Sequence, residues 1–411
     1  MKLVIVGGSA HSTPNLFACD PLRELAETLE VVLLGRSTER LDAVARAIEL
    51  ITAPTTFRVA SVAIAPGGDM SALRGADVVL CQARYGGYEA RESDETFPLK
   101  FGLCGDEGLG VGGLAAAWRA WPVLRETLIS IRRHAPLARI ILMTSPVGIL
   151  TRCALDEFGD LWLAGVCELP WTTLTDACVA VGADVRGATF AYAGVNHLGW
   201  FWSVFASGRD VVAEYAAARQ NAIEFPSGAL IERLGAIPLK YLRLHYEADS
   251  VLEEQRKSPR SRGRELLELQ ERAYAAYRTR DRPAIVAHLR ARSTPWYEHA
   301  IAPLIGGFGG RASPTASFLT VRNGSYTSAF DAQDVLEIPH RFSNGDLKPL
   351  DAIGAIPDRL RAPLDAFVEF ERAASNAVRN RDTKALAAAI KGHPWVRDGS
   401  VATQLAAEIG R

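Results

Sequence analysis

The chain has 411 residues, of which 48% are hydrophobic and 23% charged, with a formal net charge of −1 at pH 7. That is ordinary globular composition, long enough for two domains around a large core. The near-neutral balance and the lack of a long basic block argue against a nucleic-acid surface, and no stretch approaches the roughly 20 apolar residues that span a bilayer.

The elements follow in chain order. Met1 runs directly into "KLVIVGG", a buried strand ending in glycines rather than the apolar core of a signal peptide. "LEVVLLGR" at 29–36 is the second strand, and a helix capped by Ser37 or Thr38 follows in "STERLDAVARAIEL". "FRVASVA" at 57–63, "ADVVLCQA" at 76–83 and "ARIILMTSP" at 138–146 continue the alternation, which predicts βαβ units and a parallel sheet. Between the last two, residues 84–113 read as a long glycine-rich loop, of the length that usually serves a site or an interface. Beyond about residue 165 the texture changes. Strand-like "TFAYAGV" precedes helical patterns at 229–255, 262–280 and 282–292, and 359–411 reads as a helical pair.

The expected architecture is therefore α/β: a Rossmann-like, doubly wound dinucleotide-binding domain over 1–165, and a mixed α+β, largely helical domain over 166–411 for substrate and metal. Six cysteines (Cys19, Cys81, Cys104, Cys153, Cys167, Cys178) lack CxxC spacing, which suggests reduced thiols and a cytoplasmic setting, with no membrane partner.

At the first strand–helix turn, Gly7, Gly8 and Ser9 stand where backbone approaches a pyrophosphate, without the full G-x-G-x-x-G spacing. The second strand ends in Gly35-Arg36 rather than the Asp or Glu that accepts a ribose 2′-hydroxyl. Arg36 suits a 2′-phosphate, an adenine face or plain solvent, and the choice between NAD and NADP stays open. "WLAGVCELPW" at 162–171 places Cys167 at another strand end, and "VNHLGWFW" at 195–202 carries His197. A thiolate and an imidazole on one crevice suit a divalent transition metal, although each residue alone is commonly a core filler.

Six stretches occur together and in order: "GGSAHSTP", the whole of 84–113, "TSPVGILT", "GVCELP", "GVNHLGW" and "IPLKYLRLHY", with "FERAASNAV" near the C-terminus. In this the chain resembles glycoside hydrolase family 4, which includes 6-phospho-β-glucosidases, across nearly its whole length. The resemblance implies a homo-oligomer that uses NAD with Mn²⁺ or another divalent metal. It also implies cleavage by C3 oxidation and C1/C2 elimination, so that cofactor is regenerated at each turnover and the net reaction is hydrolysis. By motif position Cys167 and His197 are the metal ligands and Tyr241 the base at C2. A phenol becomes a competent base only beside a cation that lowers its pKa. Arg84 matches an arginine for an anionic sugar substituent or the cofactor, Asn196 and Ser145 line the pocket with Ser145 toward the cofactor, and the basic loop at Arg262 and Arg264 is a second anion contact.

Four positions depart from the family pattern. Ser145-Pro146 replaces Asn-Pro, Glu168 follows Cys167 in place of Asn or His, Gly105-Asp106-Glu107-Gly108 replaces Gly-Gln-Glu-Thr, and Gly35 replaces an acid. Glu168 fits four roles: an added metal ligand, the acid for the leaving group, a replacement for metal charge, or a partner of a backbone amide. The expected substrate is a small anionic glycoside bearing a 6-phosphate, 6-sulfonate or uronate. The same residues also fit a sugar dehydrogenase that does not cleave, or a non-catalytic nucleotide or sugar sensor.

Overall fold

The computed structural model describes residues 1–311, 315–343 and 345–410. Six parallel strands form the first half: β1 (Lys2–Val6), β2 (Glu30–Gly35), β3 (Arg58–Ala63), β4 (Val78–Cys81), β5 (Arg139–Leu142) and β6 (Leu163–Val166). They pair in the order β3-β2-β1-β4-β5-β6, the doubly wound arrangement whose switch point falls between β1 and β4. Alternation along β1 shows why its residues are apolar on both faces. Val4 and Val6 pack into one helical layer, Leu3 and Ile5 into the other.

The second half builds a separate antiparallel sheet from β7 (Thr189–Val195), β8 (Leu198–Ala206), β9 (Arg209–Asp210) and β10 (Ile237–Pro238). The chain then returns. Strands β11 (Ser317–Arg322), β12 (Val335–Ser343) and β13 (Asp346–Pro349) add antiparallel to β6 through Leu319↔Val166 and Thr320↔Gly165, extending the first sheet to nine strands. The amphipathic helix Asp358–Asn380 buries Leu360, Leu364, Phe367 and Val368, and packs along helix Val147–Glu157.

Three expectations from the sequence change. The stretch 84–113 is not one loop: helix Gly87–Thr96 and a 3₁₀ turn Phe97–Phe101 occupy its first half, and helix Val111–His134 begins inside it. Glycines at its two ends obscured a helical core in which Arg91 and Glu95 pair at i,i+4. The helical run 229–255 is broken. Helix Gly228–Leu234 stops at Gly235, whose φ is +51°, and β10 with its Pro238 follows before helices Arg243–Tyr246 and Ala248–Lys257. The C-terminal pair is three helices, Asp358–Asn380, Thr383–Lys391 and Ala402–Gly410, with Arg411 outside the described residues. All six cysteines are free thiols. Among the described residues no helix is long and apolar enough to cross a membrane.

Candidate active site

The carboxyl ends of the parallel strands bring the predicted residues to one edge of the sheet. Gly7 leaves β1 at φ +87°, and a Cβ there would lie 2.7 Å from Ala83 backbone beyond the end of β4. At Gly8 a Cβ would lie 2.8 Å from Leu33. Both glycine amides donate to Leu34 O, at 2.9 and 2.8 Å. The two glycines therefore act by permitting close approach, and their amides are already committed. Helix Arg262–Thr279 ties the turn down, Tyr274 Oη donating to Ser9 O and Tyr277 Oη to His11 O. Arg36, at the end of β2, is exposed.

The remaining loop 102–110 is organised by two carboxylates. Asp106 Oδ2 accepts from the amides of Gly108 (2.9 Å), Leu109 and Gly110 (3.0 Å), satisfying N–H groups just ahead of helix Val111–His134. Glu107 lies between two arginines, 2.5 Å from Arg84 Nη1 and 2.7 Å from Arg91 Nη1. Burial pushes its carboxyl up, but Arg84 and Arg91 outweigh this and hold it below the usual range. Ser145 Oγ donates to Glu107 O at 3.1 Å, so this residue of the β5 end braces the loop.

Cys167 follows β6, and its Sγ donates to Glu168 Oε2 at 3.6 Å. Burial, Glu168 and Glu337 push the thiol well above its ordinary range. His197 sits in the β7–β8 turn at φ +70°, a conformation L residues rarely hold. Its ring stacks on Tyr241, with centroids 4.2 Å apart and planes 3° from parallel. Tyr241 thus pairs with His197. Nδ1 of His197 is buried with no hydrogen-bond partner, against Gly108, where a Cβ would lie only 2.6 Å away. Burial lowers the imidazole pKa despite Asp106, Glu168 and Glu107, favouring the neutral ring. Burial, Asp106 and Glu107 push the Tyr241 phenol up.

Behind this pair lies Glu337 of β12, fully buried. It accepts from Tyr192 Oη at 2.5 Å and from Asn196 Nδ2 at 3.4 Å. Burial raises its pKa to about 8, so the carboxyl is largely neutral at pH 7. Asn196, predicted to line the sugar pocket, is buried with its Nδ2 directed at Glu337.

A cationic wall faces the glycine turn. The charge of Arg292 is disfavoured first by burial and then by Arg91, Arg84 and Arg262, with Tyr88 opposing. Arg84 lies over the Tyr88 ring at 5.5 Å. Arg84 and Arg91 share Glu107, and Arg262, exposed on the rim, pairs with Glu265 at 2.7 Å. Arg292 has no carboxylate partner among the described residues, and its Nε is buried without a hydrogen bond. His11 Nε2 is likewise unpartnered, and burial with Arg292 lowers that imidazole to about 3.

Sequence reasoning marked Asp106 and Glu107 only as a departure from the family pattern, and gave Arg91, Arg292, His11 and Glu337 no role. For Glu337 a signal existed: one carboxylate inside the apolar run "VLEIP" at 335–339. Arg292 carried none.

A doubly wound sheet with a thiol, an imidazole and a phenol gathered beside its switch-point crevice defines a dinucleotide-fold enzyme. The chain belongs to the family 4 glycosyl hydrolases: the family model matches residues 2–181, and the model of the family's C-terminal domain matches 192–396. The 6-phospho-beta-glucosidase BglT of Thermotoga maritima is 28% identical over 418 residues, covering 100% of this chain and 97% of the relative. The 6-phospho-beta-glucosidase of Escherichia coli is 24% identical over 354 residues, covering 82% of this chain and 78% of the relative. A solved structure of the T. maritima 6-phospho-beta-glucosidase, with NAD and glucose-6-phosphate, matches at a TM-score of 0.87 and 25% identity, over 100% of this chain and 97% of that one. A second, with the same match, also holds manganese.

Proposed function

We propose that this chain hydrolyses a small anionic glycoside by oxidation at C3 and elimination across C1 and C2, using a nicotinamide dinucleotide and a divalent metal ion. The observation that carries this is the stacked His197–Tyr241 pair beside Cys167 at the carboxyl end of the parallel sheet. The resemblance to a T. maritima enzyme that holds NAD, manganese and glucose-6-phosphate supports it.

The residues fit a divalent ion. His197 is neutral, the form that ligates, and Cys167 is a buried thiol whose ionisation awaits a nearby cation. A nitrogen and a sulfur donor suit a transition metal; among the described residues no group of three or more His, Cys, Asp or Glu is placed to hold one, so Cys167 and His197 would be a two-residue ligand set. When bound, the dinucleotide and the ion supply a redox couple and the positive charge that makes the C2 proton acidic.

The chain's own groups do the rest. Tyr241 takes the C2 proton, its ring fixed by His197, and its elevated pKa makes this role depend on a cation alongside. Glu168, beside Cys167, delivers a proton to the leaving oxygen. Arg292, which lies over the Trp296 ring at 5.1 Å and has no carboxylate partner among the described residues, receives the anionic group of the sugar beside Arg84 and Arg91, with Arg262 exposed nearby. Four guanidiniums face three carboxylates, Glu95, Glu107 and Glu265, none of them on Arg292, so an incoming phosphate, sulfonate or carboxylate relieves repulsion among them.

The test is incubation with dinucleotide, Mn²⁺ and aryl glycosides of both anomers in D₂O, the panel spanning 6-phospho, 6-sulfo, uronic and neutral sugars. Cleavage with deuterium at C2 and no net reduced cofactor is the expected result, and Tyr241→Phe is expected to abolish C2 exchange while still binding the dinucleotide. Reduced cofactor accumulating without cleavage would make the protein a dehydrogenase instead.

A further inference from the structure

We propose that Arg36 makes the cofactor site select NADP over NAD, its guanidinium receiving the 2′-phosphate of the adenine ribose. This rests on the nicotinamide-cofactor reading above and adds the form of cofactor this chain takes.

A parallel sheet of this kind selects NAD with an Asp or Glu at the end of its second strand, which accepts from the ribose 2′-hydroxyl. Here the strand end reads Leu33-Leu34-Gly35-Arg36-Ser37-Thr38, with no acid. Gly35 leaves little room for one: a Cβ would lie 3.1 Å from both Ser9 Oγ and Leu41 Cδ2. The carboxylates nearby in the fold are engaged elsewhere. Glu39 accepts from Arg278 Nη2 at 2.7 Å, and Glu271 lies 3.6 Å from Arg40. Ser37 Oγ is committed to Arg40 N, at 3.3 Å.

Arg36 is the one charged side chain on this strand end without a partner. Among the described residues no carboxylate, carbonyl or aromatic ring holds its guanidinium, and it is exposed. Arg36 directly follows the stretch that holds the glycine turn: the Gly7 and Gly8 amides donate to Leu34 O, and Ser9 Oγ would lie 3.1 Å from a Cβ at Gly35, so Arg36 stands next to that turn. A planar, permanently charged fork in that place matches a phosphate dianion, and a neutral ribose hydroxyl leaves it with nothing to neutralise.

The test is calorimetric titration of the purified protein with NADP⁺ and with NAD⁺ at low ionic strength, without substrate. NADP⁺ is expected to bind about 10- to 100-fold more tightly, the range for a charge-assisted contact. Arg36→Ala, at an exposed position that leaves the melting temperature unchanged, is expected to weaken NADP⁺ alone and bring the ratio near one, while Arg36→Lys retains part of the preference. NAD⁺ binding as tightly as NADP⁺, or an Arg36→Ala variant that weakens both equally, would overturn the proposal and leave the cofactor reading standing. Binding of neither dinucleotide would remove both.

Discussion

Glu337 carries more of the site than its distance from the cleft suggests. It joins Tyr192 on β7, Asn196 in the β7–β8 turn and, electrostatically, Cys167 and Glu168 after β6. His197 follows Asn196 at φ +70°, a conformation costing about 1–3 kcal/mol that the surroundings must hold. Glu337→Ala leaves a buried amide and a buried hydroxyl without their acceptor, a cost of about 1–3 kcal/mol that a urea titration reads. It is also expected to weaken Mn²⁺ binding about tenfold, followed by electron paramagnetic resonance of the free ion, as loss of an outer-shell partner does. Glu337→Gln keeps an acceptor oxygen and is expected to recover most of both. Wild-type Mn²⁺ affinity in Glu337→Ala would show that the turn holds its shape unaided. At this scale the place of Cys167 at the end of a parallel strand was legible because motif and order marked it. Glu107 and Arg292 were not, because their meaning lies in which charges they meet.

At the scale of elements, the loop 102–110 couples the helix Val111–His134 to the opposite sheet. Asp106 gathers three amides, and the resulting turn lays Gly108 against His197 Nδ1. Gly108→Ala puts a methyl 2.6 Å from that nitrogen, closer than atoms tolerate, so the ring must leave its stack on Tyr241. The expected result is weakened Mn²⁺ binding and lost C2 exchange with dinucleotide affinity retained. Loss of all three together would point to collapse of the loop instead. The helical core of 84–113 was hidden in the sequence by flanking glycines, and the break of 229–255 was signalled by Gly235 and Pro238 but read through.

Across the whole molecule, the return of β11–β13 onto β6 and the packing of helix Asp358–Asn380 on helix Val147–Glu157 join the two ends of the chain. Glu371 sits at that junction, its Oε1 where a Cβ on Gly148 would be 2.1 Å away, and its Oε2 unpartnered. Burial raises its pKa to about 8, with Arg152 opposing. The native state thus binds a proton that the unfolded chain releases near its ordinary carboxylate pKa. This group's contribution is present below about pH 4.5 and is lost progressively up to about pH 8. Glu371→Gln, fixed in the neutral form, is expected to gain stability relative to wild type as pH rises from 5 to 8, measured by urea midpoints. A constant difference across that range would place an ionised Glu371 in the native protein.

What the sequence determined by itself was local and periodic: the apolar strands of the parallel sheet, the glycine turn after β1, and the motif residues at strand ends. These follow from side-chain period and from chain order, which a single sequence displays. The tertiary structure alone decided the rest. Three strands from beyond residue 315 complete a sheet begun at residue 2, the Tyr241 ring meets His197 from 44 positions earlier, and four arginines converge on one wall. Such contacts are set by which buried surfaces and which charges must be satisfied together, a condition on the folded whole that no window of sequence contains.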